Sequence, residues 1–151
     1  MATIDLKSQE PLLLVEDEDN DVLLLRRAFV KAGILNPIHA VSSAEGALAY
    51  LAGEGVYADR LKYPLPTLVL LDLKLPGKDG FEVLEWIRRH PTLSALRVIV
   101  LTSSTRARDS DRAHQLRANS YLIKPVEFDH LVALSSTLGN YWLRMNEAPQ
   151  L

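Results

Sequence analysis

The feature that most constrains this chain is a set of five short apolar runs, at residues 11–15, 37–41, 67–71, 97–101 and 119–123, separated by segments with helical periodicity. Leu12-Leu13-Leu14-Val15 and Leu68-Val69-Leu70-Leu71 do not alternate between apolar and polar residues. A strand with one wet face alternates with period two, whereas a strand that is apolar throughout must be covered on both faces. A parallel sheet between two layers of helices meets that condition. The intervening segments read as helices near 20–32, 43–52, 79–90, 105–117 and 127–143. Asp19 is placed to cap the first and Gly33 to end it; Ser43 precedes the second, and His90-Pro91 stops the third. The stretch 53–66, with two prolines and two glycines, reads as an extended surface loop.

Strand and helix alternating five times predict an α/β fold: a flavodoxin-like, doubly wound, five-stranded parallel sheet of order 2-1-3-4-5 with five helices. A length of 151 residues accommodates one such domain. It is expected over 11–143, with an N-terminal extension at 1–10 and a C-terminal tail at 144–151. The net charge of −2 gives no reason to expect nucleic acid or an anionic membrane as partner. The absence of cysteine excludes disulfides and thiolate metal sites. No apolar run reaches membrane-spanning length, and the first residues lack an apolar signal core, so a cytoplasmic location is expected.

Ligand sites of such sheets lie beyond the carboxyl ends of the strands, where the strand order reverses. Here that place falls between the first run, ending Leu14-Val15-Glu16-Asp17, and the third, ending Leu70-Leu71-Asp72. Three carboxylates brought together repel unless a cation neutralises them, and oxygen ligands with room for water suit Mg²⁺. The fourth run continues into Thr102, a hydroxyl, and the fifth into Lys124-Pro125, an ammonium. Carboxylates serve as covalent phosphoryl acceptors, and the transfer needs mainly alignment and charge neutralisation. This set therefore points to Mg²⁺-dependent phosphorylation of an aspartate.

The ordered set Glu16-Asp17, Asp72, Thr102 and Lys124-Pro125 resembles the response-regulator receiver family, as does the loop Leu71-Asp72-Leu73-Lys74-Leu75-Pro76-Gly77-Lys78-Asp79-Gly80. The resemblance covers roughly residues 10–143. It implies that Asp72 is the phosphoacceptor, that Asp17 and Asp72 ligate Mg²⁺ directly, that Glu16 acts through metal-bound water and that Lys74 ligates through its backbone carbonyl. It implies further that Thr102 and Lys124 contact the phosphoryl oxygens, that Tyr121 changes rotamer with Thr102, and that the bond before Pro125 is cis. A finer resemblance rests on Leu13-Leu14-Val15-Glu16-Asp17, the 53–66 loop and Asn140-Tyr141-Trp142-Leu143. These are similar to single-domain regulators that partner phytochrome-type histidine kinases, which implies a histidine kinase, of phytochrome type, as donor. The family usually has glycine where Arg117 stands; if that position keeps a positive φ, the side chain costs on the order of 1 kcal/mol.

Each residue has an ordinary reading when taken alone. Glu16 and Asp17 suit a helix N-terminus, Asp72 a turn, Thr102 a cap in competition with Ser103 and Ser104, Lys124 a solvated surface and Tyr121 a core. Those readings must all hold at successive strand ends in this order, which is what disfavours them. His39, His90, His114 and His130 show no metal-ligand spacing and read as structural or solvated. The arginines and aspartates interleaved over 105–117 read as a solvated helix face with few large apolar residues, and hence as a movable element. In the last helix, Phe128, Leu131, Val132 and Leu138 form a face for the sheet. Leu134, Tyr141, Trp142 and Leu143 widen it; they read either as extra core packing or, with little else to bury against, as a homodimer contact, which is the preferred expectation. Two rival functions remain open. A phosphorylation-independent interaction module would leave the acidic set unused. A phosphohydrolase of the haloacid dehalogenase class would need an aspartate where Lys74 stands.

Overall fold

The computed structural model describes residues 10–145, 149 and 151, which take in only residue 10 of the expected N-terminal extension and half of the expected C-terminal tail. Five strands, β1 (Leu12–Val15), β2 (Ile38–Val41), β3 (Leu68–Leu71), β4 (Val98–Thr102) and β5 (Ser120–Ile123), form one parallel sheet of order β2-β1-β3-β4-β5. Five helices alternate with them: α1 (Asp19–Lys31), α2 (Ala44–Ala52), α3 (Gly80–Arg89), α4 (Ala107–Gln115) and α5 (Phe128–Leu138). The three central strands are buried at every position, while β2 and β5 at the edges are only partly covered. That is why the apolar runs do not alternate.

The pleat then sorts side chains by parity. Leu12, Leu14, Leu68 and Leu70 pack with Leu25 and Phe29 of α1 and with Leu131 and Leu138 of α5. Leu13, Val15, Val69 and Leu71 face the other way, onto Ala47 and Tyr50 of α2 and Leu84 and Ile87 of α3. A fully buried leucine of this kind stabilises the fold by roughly 2 kcal/mol relative to an exposed one. α4 is different: its one buried residue is Ala113, so it is held by little apolar surface, as its sequence implied.

Several local expectations are revised. The N-cap of α1 is Glu18, without a side-chain capping bond; Asp19 and Asp21 lie inside the first turn, where the helix dipole favours acids. Ser43 does cap α2 by accepting from the Gly46 N–H, at 3.0 Å. The 53–66 stretch lies largely at the surface, as expected, but it is not extended throughout. It contains a 3₁₀ turn at Gly55–Ala58, and the Arg60 guanidinium donates to the carbonyls of Tyr50, Leu51 and Tyr63 at 2.8–3.1 Å. Arg60 thereby gives the Leu51 carbonyl at the end of α2 a donor and adds a second to the Tyr50 carbonyl, which also accepts from the Gly53 N–H.

Arg117 has a φ of 62°. Its carbonyl is gripped by Arg88 Nε and Nη2 at 3.1 and 2.8 Å, and the same guanidinium reaches the carbonyls of Ser94 and Leu96. This clamp holds a turn whose backbone costs a non-glycine residue about 1–2 kcal/mol.

Beyond α5 the chain continues as a π-helical turn at Gly139–Met145, not as a straight helix to 143. Arg97, at the entry to β4, is buried; it donates to the Trp142 carbonyl at 2.7 Å and to the Thr67 carbonyl and hydroxyl, and it stacks on the Trp142 ring. Leu143 is buried in the core beneath α1 and α5. Extra core packing, the alternative to a dimer contact, therefore holds for Leu143 and in part for Trp142. Leu134 and Trp142 are half-buried, and Tyr141, at 51% exposure, is the residue of the four that stays open. Among the described residues no peptide bond is cis, so the Lys124–Pro125 bond is trans, against expectation. The two isomers of such a bond differ by only about 0.5–1 kcal/mol, so the dipeptide alone does not set the choice.

Candidate functional site

The carboxyl edge of the sheet carries the site because the strand ladders run one residue past the strands. The Glu16 N–H donates to the Val41 carbonyl and the Asp72 N–H to the Val15 carbonyl, both at 3.0 Å, and the Lys124 N–H donates to the Thr102 carbonyl at 2.8 Å. Glu16, Asp72 and Lys124 are thus each fixed by a ladder bond at the point where its strand stops. Glu16 and Asp72 are buried while Asp17 is exposed, and carboxylate oxygens of all three lie within 4.8 Å of one another. Among the described residues this is the group of acids that could hold a metal ion.

Lys124 enters the same place from β5. Its Nζ donates to Glu16 Oε1, to Asp72 Oδ2 at 2.8 Å and to Asp21 Oδ2 at 3.0 Å. Burial pushes the Glu16 carboxyl up to about 7, further than the hydrogen bond from Lys124 offsets, and the Asp72 charge acts in the same sense as burial. For Lys124, burial favours the neutral amine, but hydrogen bonds to Asp72 and Glu16 outweigh it and hold the ammonium above the ordinary lysine range. Three acids around one ammonium leave a deficit of positive charge. The donor set fits a divalent cation: hard carboxylate oxygens, one of them solvent-facing, with a buried neighbour reluctant to ionise without help.

Asp72 Oδ1 accepts from the Lys74 N–H at 3.2 Å, while the Lys74 side chain is exposed. The phosphohydrolase reading requires an aspartate at this position, and the residue there is an exposed lysine. Thr102 is fully buried, and its hydroxyl accepts from the Ser104 N–H at 3.3 Å. Ser104 is a junction: its carbonyl accepts from the Tyr121 hydroxyl at 2.9 Å, and its own hydroxyl donates to Asp109 of α4 at 2.6 Å. Thr102, Tyr121 and α4 are therefore joined through one residue of the β4–α4 loop.

Glu16, Asp17, Asp72 and Lys124 are brought into one cluster, and Thr102 and Tyr121 meet at Ser104 beside it. The four histidines stand apart. His39 lies against the rings of Tyr50 and Tyr63, His90 Nδ1 accepts from the Thr92 and Leu93 N–H groups, His114 bonds the Ser110 carbonyl, and His130 lies 3.8 Å from Glu127. Two participants were not found from sequence. Asp21 looks there like one more acid of a helix first turn, and Ser104 like one of several competing caps. No local pattern announces the role of Asp21, because Asp17 precedes the N-cap Glu18 and helical spacing does not relate the two.

The model of the response regulator receiver domain matches residues 12–135. The probable methanogenesis regulatory protein FilR2 of Methanothrix harundinacea is 40% identical, over 95% of this chain and 92% of that one. Among solved structures, the phosphorylated cyanobacterial phytochrome response regulator RcpA superposes with a TM-score of 0.86 at 33% identity, covering 94% of this chain and 99% of that one. The Mn²⁺-bound form of the response regulator Rcp1, a protein of Synechocystis, gives 0.83 at 33% identity, covering 93% and 99%.

Proposed function

This chain belongs to the response regulator receiver family of two-component signalling, and from that premise we propose that Asp72 accepts a phosphoryl group from a histidine kinase and that Mg²⁺ is the cofactor. The observation that carries the reading is the meeting of Glu16, Asp17 and Asp72 with Lys124 at one sheet edge. Glu16, Asp17, Asp72 and the Lys74 carbonyl would hold the cation. When bound, it would neutralise the carboxylates and shield an incoming phosphate from them.

The protein's own groups supply the rest. An Asp72 carboxylate oxygen forms the new bond to phosphorus as the bond to the donor breaks, the electron pair leaving with the donor. Lys124, freed from Asp72 by that step, donates to a phosphoryl oxygen. The Thr102 hydroxyl turns to another, giving up its bond with the Ser104 N–H. Ser104 also holds Tyr121 and Asp109, so the change passes to α4, whose small apolar anchor makes it the element free to move. Output is by protein–protein contact, and the chain turns over no substrate other than its own phosphoaspartate.

The test uses acetyl phosphate and intact mass. With Mg²⁺ the protein gains the mass of one phosphoryl group, which hydroxylamine removes as from any acyl phosphate; with a chelator in excess, uptake falls at least about a hundredfold. Equal uptake without divalent metal sinks the reading, and steady turnover of a phosphomonoester would revive the phosphohydrolase. For the donor we favour a phytochrome-type kinase, on the likeness to RcpA. The higher identity to FilR2 supports a kinase of another sensory class. Transfer from a purified autophosphorylated phytochrome kinase in the same assay separates the two.

The reading extends to a homodimer through the C-terminal helix region. Tyr141, with the exposed parts of Leu134 and Trp142, gives an apolar patch there, and Leu143 drops out of it. Sedimentation with and without Mg²⁺ and beryllium fluoride is expected to show a dimer that Tyr141→Arg weakens. A monomer under every condition removes this part.

A further inference from the structure

We propose that Asp21 is the positioning residue for Lys124, the tether that keeps its ammonium at the phosphorylation site when the other two carboxylates are taken away from it. This rests on the phosphoacceptor reading above and deepens it. An ammonium has three N–H donors, and here each has a carboxylate: Glu16, Asp72 and Asp21. Two of those acceptors have other work during the reaction. Glu16 and Asp72 belong to the trio whose oxygens converge within 4.8 Å, and Asp72 is the oxygen that is phosphorylated. Asp21 lies outside the trio, so its bond to Lys124, at 3.0 Å, is the one that metal binding and phosphoryl transfer both leave intact.

A second observation explains why a tether is needed. The region beside Lys124 opens into a cavity of about 50 Å³ whose walls include Leu24, Leu25, Leu70, Leu101 and Leu131. The polar side chains at its edge besides Lys124 are Glu16, Asp21 and Asp72. With Glu16 and Asp72 engaged, Asp21 is the remaining edge group that can hold the ammonium; an apolar wall offers it no acceptor, and the flexible four-carbon stem leaves it free to turn outward to water. Asp21, from the first turn of α1, fixes the ammonium at the site before the phosphoryl group arrives, which is when preorganisation lowers the barrier.

The experiment compares Asp21→Asn and Asp21→Glu with wild type in three readouts: phosphoryl uptake from acetyl phosphate at saturating Mg²⁺, Mg²⁺ affinity by calorimetry, and the thermal midpoint. The Asp21 side chain is 42% exposed, so the effect is moderate. Uptake in Asp21→Asn falls about fivefold, Mg²⁺ affinity changes by less than about twofold, and Asp21→Glu, which keeps the charge, recovers at least about half of the lost rate. Folding is monitored by the midpoint and stays close to wild type in both variants, because Lys124 keeps Glu16 and Asp72 as partners in the unphosphorylated protein. Uptake in Asp21→Asn equal to wild type overturns the inference. So does a loss of Mg²⁺ affinity in step with the rate, which would make Asp21 part of the metal site. If wild type itself takes up no phosphoryl group, the phosphoacceptor reading fails and this inference falls with it. Wild type labelled and Asp21→Asn labelled equally fast removes this inference alone.

Discussion

Asp72→Asn protein incubated with Mg²⁺ and acetyl phosphate takes up no phosphoryl group at Asp72. The replacement keeps the shape of the side chain. Its carbonyl oxygen can still accept one of the hydrogen bonds that Asp72 receives, from Lys124 at 2.8 Å or from the Lys74 N–H at 3.2 Å. What disappears is the anionic oxygen that attacks phosphorus, and no other atom in the site has both the charge and the place. The loss is all or none, beyond the range in which a rate ratio has meaning. Stability changes little, because the substitution removes one of three mutually repelling carboxylates while Lys124 keeps Glu16 and Asp21. The thermal midpoint is expected to move by no more than about 4 °C. Phosphorylation of the variant at wild-type stoichiometry, with hydroxylamine-labile label on Asp17 or Glu16, would show that the nucleophile has been misassigned.

Gly80→Ala is expected to cost about 3 kcal/mol and to lower the thermal midpoint by roughly 6–12 °C. The reason is space and not backbone freedom. A Cβ at Gly80 would lie 2.3 Å from the Asp72 carbonyl oxygen and 2.8 Å from Leu73 Cα. Both atoms are backbone, so no side chain can swing aside to make room. The Gly80 N–H also donates to the Leu73 carbonyl at 2.9 Å, which draws the start of α3 tightly under the loop that carries the phosphoacceptor. Added volume must push α3 or Asp72 out of place, and phosphoryl uptake should fall together with stability. Three residues earlier, Gly77 has a φ of 75° and nothing within 4 Å of the corresponding position. Substitution there strains the turn by about 1 kcal/mol and leaves the packing alone. Thermal melts of the two alanine variants side by side check this contrast. A Gly80→Ala midpoint within about 2 °C of wild type would show that the close approach is not obligatory.

The order and layering of the sheet were legible because burial on both faces leaves a mark that needs no partner to read. A run such as Leu68-Val69-Leu70-Leu71 has no wet side, and five such runs alternating with helical segments admit very few topologies. The acidic site followed from the same logic. A charged residue directly after a buried run must stand where the strand meets solvent, so Glu16, Asp17, Asp72 and Lys124 could be placed at one edge before any contact was known. Arg117 was legible in part: its place in the α4–β5 turn raised the question of a positive φ, and the turn does have one.

Other features depend on residues far apart in sequence, and no local pattern announces them. The Arg97 side chain reads as a charge bordering a strand; only the fold brings Thr67 and the Trp142 carbonyl around it, and with them the burial of Leu143 that weakened the expected dimer patch. Arg60 and Arg88 likewise look like surface cations until several carbonyls converge on each. Gly77 and Gly80 cannot be told apart as letters, since one is set by its own dihedral and the other by a carbonyl eight residues away. Asp21 belongs with these. The sequence by itself determined the sheet, its covering and the acids at its edge, because hydrophobic burial is a property of each segment. The tertiary structure alone decided which acids surround Lys124 and which carbonyls Arg60, Arg88 and Arg97 hold, because hydrogen bonds require two groups within about 3 Å and only the finished fold brings such groups together.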